Sequence, residues 1–130
     1  MSDESAEPVV VLMTAASSDE ASRIARMLVE KHLAACVQIL PQMESVYRWR
    51  GEVQSEKEVL LLVKTTKTRF DELEAEVRAI HSYETPEIVA LSVVAISNPY
   101  LTWLRESISS PTPESPAGQP GWGGAVRDGS

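Results

Sequence analysis

At 130 residues, with 43% hydrophobic and 24% charged side chains, the chain has the make-up of one globular domain and not of a disordered segment. A net charge of −7 argues against a nucleic-acid backbone as the main partner, because phosphate binding depends on clustered Lys and Arg. The single cysteine, Cys36, excludes an intrachain disulfide and a cysteine-pair zinc site, and is expected as a small buried apolar residue.

The chain begins Met1-Ser2-Asp3-Glu4-Ser5-Ala6-Glu7, acidic where a secretory signal needs positive charge, and residues 1–7 are expected to be flexible. No apolar run approaches the ~20 residues of a membrane span, so a cytoplasmic protein is expected. Val9 to Met13 is short, apolar and β-branched at its start, and suits a buried strand. Ser17 and Ser18 are candidate N-caps, with Asp19 and Glu20 at the positive helix end. Ala21, Ile24, Ala25, Leu28 and His32 then share one helical face. Val37 to Leu40 is a second apolar run, stopped by Pro41.

Met43 to Arg50 and Val53 to Lys64 flank Arg50-Gly51-Glu52 and read as two long hairpin strands. Alternation puts Tyr47 and Trp49 on one face, Arg48 and Arg50 on the other. Lys67 to His81 is a second helix, with Phe70, Leu73, Val77 and Ile80 on one stripe. Glu87 to Ile96 is a last long strand, and Asn98-Pro99 opens a short helix through Leu104. From Ser109 onward Pro, Gly and Ser dominate; residues 109–130 are expected to be a disordered tail in which only Trp122 could dock.

The order strand, helix, strand, strand, helix, strand, plus a terminal helix, predicts one α+β domain over residues 8–108. Two right-handed crossovers give an antiparallel sheet with both helices on one face. Val59-Leu60-Leu61-Leu62-Val63 and much of Ile88 to Ile96 are apolar without alternation, as expected of strands buried on both faces. Helices cover one face; a second copy is expected to cover the other, and closed threefold pairing would protect the hairpin edge as well. Of six glycines only Gly51 precedes residue 118, which excludes a Rossmann fingerprint and a P-loop. No Ser, Cys or Asp stands at a spacing from a histidine that signals a triad, and a non-enzymatic protein is expected.

The connection His81-Ser82-Tyr83-Glu84-Thr85-Pro86-Glu87 gathers an imidazole, a phenol and two carboxylates between a helix and a strand. Three readings stay open for it: a metal site, a ligand cleft, or a loop knit together by its own side chains. Lys64-Thr65-Thr66-Lys67, at a strand end, could hold an anion or simply cap the helix. Lys64, Tyr83 and Glu87 are the residues expected in a ligand cleft.

Four ordered blocks carry a family resemblance: Val9-Val10-Val11-Leu12-Met13-Thr14-Ala15, Lys31-His32-Leu33-Ala34-Ala35-Cys36, Tyr47-Arg48-Trp49-Arg50-Gly51-Glu52, and Tyr83-Glu84-Thr85-Pro86-Glu87 followed by Tyr100-Leu101-Thr102-Trp103-Leu104. Over roughly residues 8 to 107 the chain resembles the CutA family, the divalent-cation-tolerance proteins. The resemblance implies a ferredoxin-like protomer in a tight homotrimer, linked to tolerance of copper and other divalent ions, with no established catalytic reaction. It also implies His81 and Glu84 as metal ligands, with Met13 where some relatives place a copper-associated cysteine. Tyr47, Trp49 and Trp103 are the aromatic residues expected at the trimer boundary. The alternatives are a trimeric regulator, similar to the PII signal proteins, that senses a small ligand between subunits, and a structural assembly hub.

Overall fold

Val9, Val11, Met13 and Ala15 alternate with half-buried Val10 and Leu12, and this alternation organises the computed structural model, which describes residues 6–109. The elements are β1 (Pro8–Ala15), α1 (Ser18–Glu30), β2 (Cys36–Trp49), β3 (Glu52–Thr66), α2 (Phe70–Ile80), β4 (Ile88–Ser92) and α3 (Asn98–Ser107). A 3-10 turn, Lys67–Arg69, leads into α2. The strands form one antiparallel sheet in the order β2-β3-β1-β4. The molecule is therefore the expected α+β domain with an antiparallel sheet.

The odd-numbered side chains of β1 join Leu61 and Val63 of β3 against Ile24 and Leu28 of α1 and Leu73 and Val77 of α2. Each buried aliphatic side chain contributes roughly 1.5–3 kcal/mol. The even-numbered side chains look the other way. Val10, Leu12, Leu60 and Leu62 share that second face with exposed Leu40, Val89 and Leu91, and no element of the described residues covers it. A smaller cluster under α3 joins Ala35, Leu104 and Ile108 to Tyr100 and Trp103.

Helix α1 starts where the acidic and hydroxyl residues predict. The Ser17 hydroxyl accepts from the Glu20 amide at 3.1 Å, and the Glu20 carboxylate accepts from the Ala16 amide at 3.0 Å. Its end differs from expectation: α1 stops at Glu30, and His32 lies beyond the helix at φ 60°. That left-handed turn lets the amides of Leu33 and Ala34 both reach the Leu28 carbonyl. The His32 Nδ1 donates to the Ser107 carbonyl at 3.1 Å, which ties α1 to α3.

Pro41 does not stop the second strand. β2 runs through it as a bulge, with Leu40 opposite Leu60 and Met43 opposite Glu58, and with Gln42 at φ 63°. Proline is admissible here because β2 is an edge strand and the bulge leaves its missing N–H unneeded. The extra residue changes parity. Met43, Ser45, Tyr47 and Trp49, odd-numbered, now share the uncovered face with even-numbered Gln38 and Leu40. The hairpin closes through Arg50 at φ 53° and Gly51 at φ 83°, with Trp49 opposite Glu52. Two left-handed residues make the turn twist with its strands.

β4 is shorter than the expected Glu87 to Ile96. It pairs only with β1, and beyond Ser92 the opposite residues would be Pro8 and Glu7, where β1 ends and Pro8 offers no N–H. Helix α3 continues past Leu104 to Ser107, capped by the Ser97 hydroxyl. The expected flexible N-terminus is described only at Ala6 and Glu7, whose carbonyls accept from Arg105 and from the Lys67 amide. The expected tail, Trp122 included, lies beyond the described residues apart from Ser109.

Candidate functional site

The loop between α2 and β4 is held by two carboxylates that come from elsewhere in the fold. Glu20, 4% exposed on the first turn of α1, accepts from the Ser82 amide at 2.7 Å and from the Ser82 hydroxyl at 3.0 Å. Burial alone would raise its carboxyl, but the amides of Ala16 and Ser82 and the Ser82 hydroxyl hold it below its ordinary value of 4.5. Glu58, 9% exposed on β3, accepts from the Tyr83 hydroxyl at 2.6 Å. Burial and that carboxylate together push the Tyr83 phenol well above its usual range.

His81 is the pivot of this network, and its side chain is fully buried. Its Nε2 lies 2.7 Å from the Thr14 carbonyl, which can only accept, so Nε2 carries the proton. Its Nδ1 accepts from the Tyr83 amide at 3.0 Å, which can only donate. Both ring nitrogens are thus spoken for in a neutral imidazole. Glu20 Oε2 stands 3.6 Å from Nδ1, too far for a hydrogen bond, and the Tyr83 ring packs 4.8 Å away.

Beside the loop, facing the hairpin, opens a cleft of about 660 Å³. Its ring-bearing walls are Tyr47, Trp49 and Tyr83, and its carboxylates are Glu58, Glu84 and Glu87. Thr14, Ser45, Ser82 and Thr85 complete the polar lining, with Val46 the aliphatic member. No Lys or Arg lines it. The parity change at the bulge puts Tyr47 and Trp49 on this wall, since an unbulged β2 would present Arg48 and Val46 with Leu40. Arg50 stands at the rim, its guanidinium 5.4 Å from the centre of the Trp49 ring and 3.6 Å from the Glu84 carboxylate.

The structure brings together some of the expected site residues and separates others. Tyr83 and Glu87 share the cleft, with Glu84 beside them. Lys64 does not join them. It lies six residues along β3 from Glu58, roughly 20 Å away in an extended strand, with Nζ 2.7 Å from the Gln38 side-chain oxygen. Thr65 donates to the buried Leu33 carbonyl, and Thr66 stands at the cap position without a side-chain cap bond. Met13 is 0% exposed within the core. Trp103 is half-buried, 5.4 Å from the Tyr100 ring, in the cluster under α3. Cys36 is half-buried and not fully buried as expected; burial pushes its thiol up, while Lys64 and a hydrogen bond with Tyr100 pull the other way.

These residues do not assemble a copper site within one protomer. Coordination through His81 would break either the Thr14 or the Tyr83 bond, Met13 is sealed in the core, and Glu84 faces Arg50. Among the described residues, no three His, Cys, Asp or Glu side chains group closely enough to hold an ion.

From the sequence, Glu20 is marked only as a charge at the start of α1, and Glu58 is not marked at all. Ser17-Ser18-Asp19-Glu20 carries the capping-box spacing, but nothing local links Glu20 to Ser82, 62 residues on. The signal for Glu58 is its position flush against the apolar run Val59 to Val63, where a carboxylate is costly unless hydrogen-bonded.

Comparison with known proteins agrees with this geometry. Residues 9–107 match the family described as CutA1 divalent ion tolerance protein. The divalent-cation tolerance protein CutA of Thermus thermophilus is 52% identical over 98 residues, 75% of this chain and 95% of that protein. Protein CutA of Homo sapiens is 41% identical over 98 residues, 75% of this chain and 55% of its own length. The solved structure of the Thermus thermophilus divalent cation tolerance protein superposes with a TM-score of 0.76 at 51% identity, covering 77% of this chain and 97% of that one. CutA1 from the psychrotrophic Shewanella sp. SIB1 gives 0.77 at 36% identity, with 80% and 97% covered. The chain belongs to the CutA1 divalent ion tolerance family.

Proposed function

We propose that the protein is a non-enzymatic, cytoplasmic homotrimer of ferredoxin-like protomers that binds or responds to copper and other divalent ions. The observation that carries the assembly is the uncovered sheet face. Leu40, Val89 and Leu91 are 45%, 46% and 46% exposed beside Val10, Leu12, Leu60 and Leu62, and Val94 just past β4 is 98% exposed. A contiguous apolar face of this kind marks an interaction surface. The strand order β2-β3-β1-β4 with α1 and α2 on one side supports the ferredoxin-like reading. Tyr47, Trp49 and, less directly, half-buried Trp103 supply aromatic anchors.

Divalent-ion response is supported by family membership and by the acidic balance of the chain. One protomer offers Glu84 as an exposed carboxylate and keeps His81 engaged, so a copper ion needs donors from more than one protomer. Isothermal titration with copper, zinc and cobalt tests this, on the wild type and on Leu91→Asp, which puts a charge on the uncovered face. Binding that disappears with assembly supports the reading. Equal binding by a dispersed Leu91→Asp monomer, or none by the assembled protein, contradicts it.

The cleft beside Tyr83 favours a second reading, a regulator that senses a small ligand. Its volume of about 660 Å³ falls within the ordinary range of small-molecule sites.

A further inference from the structure

We infer that the cleft beside Tyr83 is completed by a second copy of this chain, whose Lys64 enters it and pairs with Glu58. This deepens the trimeric reading and rests on it. Three observations carry it: where the charges stand on the uncovered sheet face, what each of them touches, and how the two ends of that face complement one another.

The register assigns each charge on the strands to a side. With Val10 opposite Lys64 and Leu12 opposite Leu62, the even-numbered side chains of β3 stand on the uncovered face. That face carries Glu52, Glu56 and Glu58 toward the hairpin turn and Lys64 toward the other end. Arg48, opposite Val53, and Lys57, opposite Glu44, point to the other side. Lys64 is thus the one Lys or Arg that the four strands present on the uncovered face.

The contacts single out Glu58 among the carboxylates. It is 9% exposed, whereas Glu52, Glu56 and Glu87 are open to water and Glu84 already faces Arg50. The Tyr83 hydroxyl takes its Oε2, its Oε1 keeps acceptor capacity, and no Lys or Arg lines the cleft. Lys64 is the matching case. It is half-buried, donates to the neutral Gln38 side chain at 2.7 Å, and among the described residues meets no carboxylate at ion-pair distance. An ammonium has three donors, so it can keep Gln38 and still bond a carboxylate.

Roughly 20 Å of extended strand keeps these two charges apart within one chain. A second copy covering the face strips water from both, and a dehydrated charge is costly without a counter-charge. A closed ring removes the cost. The Lys64 end of each copy lies on the Glu58 end of the next, and no charge is left over. Val10, Leu12, Leu60 and Leu62 between them supply attraction without direction, and the charge pair fixes the register.

Charge reversal tests this, with dissociation in urea followed by light scattering and circular dichroism confirming the fold of each variant. Lys64→Glu and Glu58→Lys should each weaken assembly about ten-fold or more, and combining them should recover most of the loss. Arg26→Asp, on the exposed side of α1, should leave assembly unchanged. If either reversal prevents folding, Lys64→Gln and Glu58→Gln replace the pair, and the combined variant should then lose less than the sum of the two. Additive losses in an intact wild-type trimer would place the two charges apart, overturning this inference and leaving the trimer standing. A monomeric wild type would remove the trimeric reading and this inference together.

Discussion

At the scale of single residues, Glu20 does two jobs with one carboxylate. It closes the start of α1 through the Ala16 amide and anchors Ser82, 62 residues on in the chain. Charged hydrogen bonds of this kind contribute about 1.5–3 kcal/mol each when a buried donor is otherwise stranded. Glu20→Gln, which keeps the size but turns one acceptor into a donor, should therefore lower unfolding stability by about 2–3 kcal/mol at neutral pH. Urea unfolding measures it. The sign of the pH dependence follows from the depressed carboxyl: its stabilisation is complete above the ordinary value of 4.5 and is lost as pH falls through the lower folded value. The gap between wild type and Glu20→Gln should accordingly narrow below pH 4.5. A gap that stays constant into acid would mean that Glu20 is not held ionised by its donors. His81 makes a second residue-scale prediction. With Thr14 accepting and Tyr83 donating, nitrogen-detected NMR should find the proton on Nε2, and a proton on Nδ1 would contradict the hydrogen-bond assignment.

At the scale of elements, the hairpin decides what the molecule presents. Its turn is built with a non-glycine residue, Arg50, at φ 53°, a conformation that costs an L-residue about 1–2 kcal/mol. Asn tolerates it better, and Asn-Gly is the favoured pair for this turn. Arg50→Asn should raise the urea midpoint by an amount equivalent to about 1 kcal/mol; a lowered midpoint would show that the Arg50 contacts with Trp49 and Glu84 outweigh the strain. The bulge is the other decisive device. Deleting Gln42 should restore simple alternation, turn Tyr47 and Trp49 to the opposite face, and abolish the cleft. Accessibility of Trp49 to an aqueous quencher reports it, and unchanged quenching in the folded variant would show that the aromatic pair does not depend on the bulge.

These elements also show where the sequence was legible. The β1 run, the start of α1 and the Gly51 turn follow from local periodicity and capping and lie where expected. Of the α2 stripe Phe70, Leu73 and Val77 pack inward, but Ile80 is 49% exposed in the last turn of a helix that spans Phe70–Ile80 and not Lys67 to His81. Pro41 misleads because a proline that ends a central strand is harmless at an edge bulge. That β2 is an edge is a property of the sheet, invisible in the stretch Leu40 to Met43. The length of β4 misleads for the same reason, since the apolar run to Ile96 outlasts the partner strand that would pair with it. At the site, Tyr83, Glu84 and Glu87 are consecutive enough to be read together. Glu58 and Glu20 reach the loop only through tertiary structure, as does the Thr14 carbonyl, which with the Tyr83 amide turns His81 from an available ligand into a fixed structural pivot.

At the scale of the whole molecule, the question is what covers the second face of the sheet. A domain of about 100 residues buries less than two-thirds or so of its unfolded surface, and leaving Leu40, Val89 and Leu91 wet forgoes stabilisation that association would recover. Helices α1 and α2 occupy only the other side, and α3 packs over its own small cluster. In the proposed trimer, three copies closing around an axis would hide these faces and the hairpin edges without leaving an open end. Leu91→Asp should then disperse the assembly and lower the melting temperature, while Arg26→Asp on the exposed side of α1 should do neither.

Light scattering coupled to size exclusion, at micromolar concentration and without added metal, reaches the centre of this picture most directly. Mass three times the 14.3 kDa of one chain is the result expected. A stable, well-behaved monomer would contradict it, and would leave the uncovered sheet face without the partner on which the proposed function depends.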